Sequence, residues 1–217
     1  MNTDFWLQRW ENNDIGFHQH EANPLLTQYF RTLSLAEGGR LFLPLCGKTR
    51  DIGWLLSKGY RVAGAELSEL AIEQLFAELG ATLEVSGAGE LRHYQAPGID
   101  IFVGDLFQLT GKMLGPVDAI YDRAALVALP EETRQRYAAH LMEITNGAPQ
   151  LLITYESDQQ LMDGPPFSIS PAEVRRHYDD SYDVAHLACA ALTGSLKERL
   201  RGEPVSENVW HLRPNPS

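Results

Sequence analysis

The chain has 217 residues, 44% of them hydrophobic and 22% charged, a size and balance that suit one domain, 1–217, with a full core. Its formal net charge of −11 lacks the footprint of a nucleic-acid or anionic-membrane binder, so a small-molecule partner is expected, with no nucleic acid and no membrane. The two cysteines, Cys46 and Cys189, lie far apart in no metal spacing, which excludes a disulfide framework and makes the cytoplasm the expected compartment. The first residues carry no signal-peptide pattern, no run approaches a bilayer's thickness, and no apolar surface pattern demands a partner, so a monomer is expected.

Residues 4–12 read as a short helix capped by Thr3 or Asp4, with Phe5, Trp6, Arg9 and Trp10 near one face. Trp6 is expected in the core. Residues 13–22 are polar and hold His18-Gln19-His20. This pair lacks a third ligand at a defined spacing, so a loop bordering a site is expected and no metal. Asn23-Pro24 then starts a helix, Asn as cap and Pro at the first position, with Leu25, Leu26, Tyr29, Phe30 and Leu33 as its apolar face.

The stretch 41–68 organises the chain. Leu41-Phe42-Leu43-Pro44 is a buried strand, Leu45-Cys46-Gly47 a tight loop, residues 51–58 a helix closed by Gly59, and residues 61–65 a second strand ending on Glu66. Such a crossover is right-handed and binds ligands at the carboxyl ends of its strands. A carboxylate at the second end can accept both hydroxyls of a ribose. The unit reads either as a nucleoside site or as a plain crossover with a solvated Glu66. The loop has one glycine where a pyrophosphate binder needs several, and Phe42 stands where a P-loop needs glycine. A nucleoside without phosphates fits better, and S-adenosylmethionine is the common one.

Ser68 caps a helix running to about Leu79 and closed by Gly80. Residues 83–94 suit a hairpin across Gly87-Ala88-Gly89, an insertion without an assigned chemical role. Residues 99–103 form the third sheet strand. Gly104, Asp105 and Leu106 after it are expected to line an adenine pocket, where an acidic side chain accepts from the adenine amino group; Asp105 reads equally as a turn cap. Residues 117–121 form the fourth strand, followed by Asp122-Arg123. Residues 131–141 form a helix and 150–155 the fifth strand. Gly164-Pro165-Pro166-Phe167 is a stiff turn that either presents Phe167 to a flat substrate or only connects. Ser170-Pro171-Ala172-Glu173 is a capping box. Residues 182–191 and 205–211 make a last antiparallel pair, joined by a basic connector with Lys197, Arg199 and Arg201.

These motifs resemble the thiopurine S-methyltransferase family, and bacterial members of it most. The resemblance rests on Pro44-Leu45-Cys46-Gly47-Lys48, Gly64-Ala65-Glu66-Leu67-Ser68, the run Tyr121-Asp122-Arg123-Ala124-Ala125-Leu126-Val127-Ala128, Gly164-Pro165-Pro166-Phe167, Phe5-Trp6-x-x-Arg9-Trp10 and Trp210. It implies an α/β fold, the Rossmann-like class I S-adenosylmethionine-dependent methyltransferase fold, with a mostly parallel seven-stranded sheet flanked by helices and residues 1–35 as a helical cap over the cofactor. It implies S-adenosylmethionine bound by Trp10, Leu45, Gly47, Glu66, Leu67, Gly104, Asp105, Leu106 and Arg123. The acceptor would be a small aromatic or heterocyclic thiol such as a thiopurine, or a selenium or tellurium compound. Arg123 would hold the anionic acceptor; Asp122 would orient Arg123 or take a proton; Trp10 and Phe167 would exclude water and stack on flat rings. Two other readings stay open: methylation of an oxygen or nitrogen nucleophile, and a protein that binds the cofactor without transferring its methyl group. The lack of an Asn/Asp-Pro-Pro-Tyr motif after the fourth strand disfavours amino-directed methylation of nucleic acid.

Overall fold

A computed structural model describes residues 3–158, 164–191 and 205–216. Its sheet has the strand order β3-β4-β5-β2-β1-β6-β7-β9-β8. The strands are β1 (Arg40–Pro44), β2 (Arg61–Glu66), β3 (Glu84–Ala88), β4 (Leu91–Ala96), β5 (Ile99–Val103), β6 (Ala119–Arg123), β7 (Gln150–Glu156), β8 (Tyr182–Ala191) and β9 (Ser206–Pro214). From β5 to β7 all neighbours are parallel, and β9 and β8 close that side as an antiparallel pair. These are the seven expected strands. The 83–94 hairpin forms and also joins the sheet, β4 running antiparallel to β5, so nine strands are continuous. The basic connector with Lys197, Arg199 and Arg201 lies outside the described residues, as does Asp163 at the start of the proline turn.

Seven helices flank the sheet among the described residues: α1 (Thr3–Glu11), α2 (Pro24–Tyr29), α3 (Arg50–Ser57), α4 (Glu69–Leu79), α5 (Gly111–Leu114), α6 (Glu131–Ile144) and α7 (Pro171–Tyr178). Thr3 and Asp4 fall within the first turn of α1 rather than before it. The other starts follow side-chain chemistry. Asn23 accepts the N–H of Leu25 at 2.8 Å, and Ser68 that of Ala71 at 3.2 Å. Ser170 accepts the N–H of Glu173, but the Glu173 carboxylate turns to Arg134 and His177 instead of closing a capping box.

The parallel strands are buried on both faces, and their alternation sorts residues into two cores. Leu41 and Leu43 meet Ile52, Leu55, Ile72 and Phe76 on the α3–α4 side. Phe42, Ile120 and Leu152 meet Tyr137, Leu141 and Tyr178 on the α6–α7 side. Trp210 is buried on β9 and donates its indole N–H to Thr154.

The fourth parallel strand runs two residues further than the sequence reading placed it, so Asp122 and Arg123 lie within β6 and project from opposite faces. Asp122 is fully buried on the α6 side. Its carboxylate accepts the Tyr137 hydroxyl at 2.7 Å and the Leu126 amide at 3.3 Å. Burial raises its pKa to about 6, against the pull of those hydrogen bonds. A carboxyl that holds its proton more tightly when folded stabilises the fold fully below its ordinary range, and that contribution is lost as pH rises through 6. A shift from 3.8 to about 6 is worth ~3 kcal/mol. The uncharged Asp122→Asn protein should therefore gain on the parent between about pH 4 and about pH 7 by up to that amount. Urea unfolding at the two pH values checks it; a stability gap that does not change with pH would contradict it.

Candidate active site

The β1–α3 turn is built from two residues in left-handed geometry, Leu45 at φ 46° and Gly47 at φ 51°. Leu45 adopts this geometry despite its side chain, a local strain that the surrounding bonds must hold. The Cys46 amide donates to Ala65 O at 3.0 Å, and the Gly47 amide donates to Glu66 Oε2 at 2.7 Å. A Cβ at Gly47 would lie 2.9 Å from the Trp10 ring, so only glycine lets the indole rest on the turn. The other carboxylate oxygen of Glu66 accepts the Ser68 amide at 2.8 Å. Burial raises the pKa of Glu66, and the amides of Ser68, Gly47 and Leu67 work against that rise. Each carboxylate oxygen has two acceptor positions. The Gly47 and Ser68 amides take one on each oxygen and the Leu67 amide is a further interaction, so Glu66 keeps acceptor capacity for a ligand hydroxyl.

Glu66 lines a cavity of about 310 Å³, within the range of small-molecule sites. The turn Leu43–Thr49 with Leu67 forms one wall. Trp6, Arg9, Trp10, Phe17, His18 and Gln19 form a second. Tyr121, Arg123, Tyr155, Val127, Ala128, Pro165 and Pro166 form the third. Phe17 packs edge-on against both tryptophans, with centroids 5.5 Å from Trp10 and 5.9 Å from Trp6. Trp6 therefore belongs to the cavity wall and not to the core. At the mouth Lys48 pairs with Glu78 at 3.0 Å. His18 is held below its ordinary pKa by burial and then by the Lys48 charge, which favours a neutral ring. Its ring lies 6.1 Å from that of His20.

Arg123 stands where the three walls meet. Its Nη1 donates to Phe17 O and its Nη2 to the Tyr155 hydroxyl, both at 3.4 Å. Its Nε is buried without a hydrogen-bond partner. Burial opposes the positive charge, but Tyr155, Asp51, Tyr121 and Glu207 outweigh it and hold the pKa above the ordinary arginine value. Asp51 is fixed from two sides: Oδ1 accepts the Asn23 amide at 2.6 Å and Oδ2 the Tyr121 hydroxyl at 3.1 Å. A guanidinium that lines a cavity and has an unpartnered N–H suits an anionic or electron-rich ligand.

Trp10, Leu45, Gly47, Glu66, Leu67 and Arg123 are thus brought to one cavity, while other sequence-derived candidates lie elsewhere. Asp122 does not approach Arg123, because strand alternation sends it to α6. Gly104, Asp105 and Leu106 do not line the cavity. Gly104 donates its amide to the Glu66 carbonyl at 2.9 Å, exposed Asp105 caps a 3-10 turn through the Phe107 amide, and Leu106 is buried in the α6-side core. Phe167 packs under Arg134, 5.8 Å from its guanidinium, so the turn offers Pro165 and Pro166 instead. Among the described residues no cluster of His, Cys, Asp and Glu could hold a metal ion. The sequence reading missed Asp51, Tyr121, Phe17 and the hydroxyl of Tyr155. The available signal was a carboxylate in the first turn of α3 and tyrosines ending two adjacent parallel strands.

Comparison with known proteins agrees with this geometry. The family model described as thiopurine S-methyltransferase (TPMT) matches residues 1–214. A protein of Xanthobacter autotrophicus named thiopurine S-methyltransferase is 53% identical over 98% of this chain and 99% of its own length. A SAM-dependent methyltransferase from Methanosarcina mazei superposes with a TM-score of 0.64 at 14% identity, over 90% of this chain and all of its own. Magnesium protoporphyrin IX methyltransferase from Synechocystis PCC 6803, solved with bound SAH, gives 0.59 at 15% identity over 98% and 95%. The fold is that of S-adenosylmethionine-dependent methyltransferases, the cofactor is S-adenosylmethionine, and the chain belongs to the thiopurine S-methyltransferase family.

Proposed function

We propose that this methyltransferase acts on the sulfur of small aromatic or heterocyclic thiols such as thiopurines. The observation that carries the reading is Arg123, a buried cation with an unpartnered Nε where the Glu66 wall meets the proline and aromatic wall. S-adenosylmethionine, when bound, supplies an electrophilic methyl group on a sulfonium. Glu66 would take the ribose hydroxyls, Leu45, Gly47 and Leu67 would pack along the nucleoside, and Trp10 would close over it. Gly104 supports the backbone of Glu66. In this reading α1 and α2 are the cap over the cofactor.

In-line displacement needs alignment above all, and most of the catalysis asked of the protein is position. An aromatic thiol is ionised or nearly so at neutral pH, and Arg123 would hold its anion beside the methyl group. Trp6, Phe17, Pro165 and Pro166 would exclude water and cover a flat ring. Selenium nucleophiles, and tellurium compounds by extension, share the softness of a thiolate, so metalloid detoxification is part of the proposal. We read the protein as a cytoplasmic monomer that takes no nucleic acid. Its net charge of −11 supports this, as do its free cysteines and the limited exposure of large apolar side chains, Leu70 at 37% and Val85 at 42% among the described residues.

Glu66→Ala should weaken S-adenosylmethionine binding by about tenfold or more in calorimetry, since each hydrogen bond to a charged group is worth roughly 1.5–3 kcal/mol. Unchanged affinity would remove Glu66 from the ribose site. Arg123→Ala should lower kcat/KM for a thiopurine by about a hundredfold, followed with methyl-labelled cofactor. Full turnover in that variant would remove the role given to Arg123. Label entering phenols or amines but not thiols would favour an oxygen or nitrogen acceptor, and tight binding with no transfer would favour a non-catalytic binder.

A further inference from the structure

The reading above uses Arg123 but leaves two buried groups of the same cavity without a task. Tyr121 and Asp51 both line it, at 2% and 1% exposure. The Tyr121 hydroxyl donates to Asp51 Oδ2 at 3.1 Å, so its oxygen still has acceptor capacity toward the cavity. The other oxygen of Asp51 is pinned by the Asn23 amide at 2.6 Å, which fixes the carboxylate in one orientation. The groups facing Tyr121 are Asp51 from α3, Arg123 from its own strand and Tyr155 from β7.

We propose that Tyr121 and Asp51 form a proton outlet for the acceptor. The Tyr121 oxygen takes the acceptor's proton while its own proton passes to Asp51. This rests on the reading of the site as a thiol methyltransferase and extends its substrates to thiols that are protonated at neutral pH, alkyl thiols among them. The thiol S–H bond breaks and its electron pair stays on sulfur. That sulfur forms its new bond to the methyl carbon as the methyl–sulfonium bond breaks, its pair going to the cofactor sulfur. The proton ends on Asp51 and leaves to water once the thioether departs. Burial, followed by the neighbouring Asp51, pushes the Tyr121 phenol well above its ordinary range, so it stays protonated and works as a relay rather than as a base. Asp122 cannot do this work, because it faces Tyr137 across the sheet.

The test compares 4-nitrothiophenol, an acidic thiol, with phenylmethanethiol, an alkyl thiol, in single turnovers of cofactor-loaded protein. In Tyr121→Phe the ratio of the acidic to the alkyl rate should rise about tenfold or more, the scale of a lost general base. A second readout needs no cofactor. The visible absorbance of 4-nitrothiophenol bound to the protein reports its ionisation, and its midpoint should move to higher pH in Tyr121→Phe, which lacks the hydroxyl that would donate to the thiolate once the proton has passed. Asp51→Asn should raise the rate ratio in the same direction and serves if the first variant does not fold. An unchanged ratio or an unchanged ionisation midpoint overturns the proposal while leaving thiol methylation standing. Unmodified protein that turns over neither thiol would overturn both.

Discussion

The Glu66 carboxylate reaches 2.7 Å across two adjacent strand ends to the Gly47 amide, and its second oxygen holds the Ser68 amide. That single buried acid shapes both loops that can receive a nucleoside. Its cost is desolvation, visible in the raised pKa, and the backbone amides offset it. The bond to Gly47 also faces the strain of Leu45, whose φ of 46° a β-strand end would not adopt unaided. Trp10 can lie on the turn only because position 47 carries no Cβ. The N-terminal helix, the first crossover and Glu66 are therefore one packed unit rather than three neighbours.

Strand alternation decides the chemistry of the opposite wall. On β6, Tyr121 and Arg123 face the cavity and Asp122 faces α6, although the three are consecutive. The adjacent Asp-Arg pair of the sequence is thus divided by the sheet. Arg123 is balanced instead by carboxylates from other elements, Asp51 on α3 and Glu207 on β9, and donates to the Tyr155 hydroxyl on β7. A cation set against distributed partners at 3.4 Å, rather than in one short ion pair, keeps donor capacity for a ligand.

Much of the fold was legible in the residues. The apolar runs gave the five parallel strands, Asn23, Ser68 and Ser170 gave helix starts, and the 83–94 hairpin was anticipated from its glycines, though not its joining the sheet. The carboxyl-end argument points to Glu66 and the turn at residues 45–47, which line one cavity. What stayed hidden needed register or distance. Two residues of error in where β6 ends turned Asp122 toward Arg123 on paper. Asp105 reads in sequence as an adenine acceptor or as a turn cap; its Oδ1 accepts the Phe107 amide, and only the fold shows that residues 104–106 lie outside the cavity lining. Phe167 reads in sequence as a stacking ring or as part of a connector; in the fold its ring lies 5.8 Å from the Arg134 guanidinium and outside the cavity lining.

Asp51 shows why local reading has this limit. In sequence it is one acid in the first turn of a helix, a position that needs no special explanation. In the fold one oxygen holds the chain at Asn23, 28 residues earlier, and the other holds Tyr121, 70 residues later. Asn23 starts α2 just after the loop whose Phe17 carbonyl receives Arg123. The segment that packs Trp10 against the Gly47 turn is therefore tied, through Phe17 and Asn23, to Arg123 and Tyr121 on the opposite wall of the cavity. Residues 17–23 thus supply one partner each to Arg123 and Asp51, while Tyr155 and Tyr121 on the sheet supply the other, so the cavity's charged groups are set jointly by the N-terminal segment and the strands.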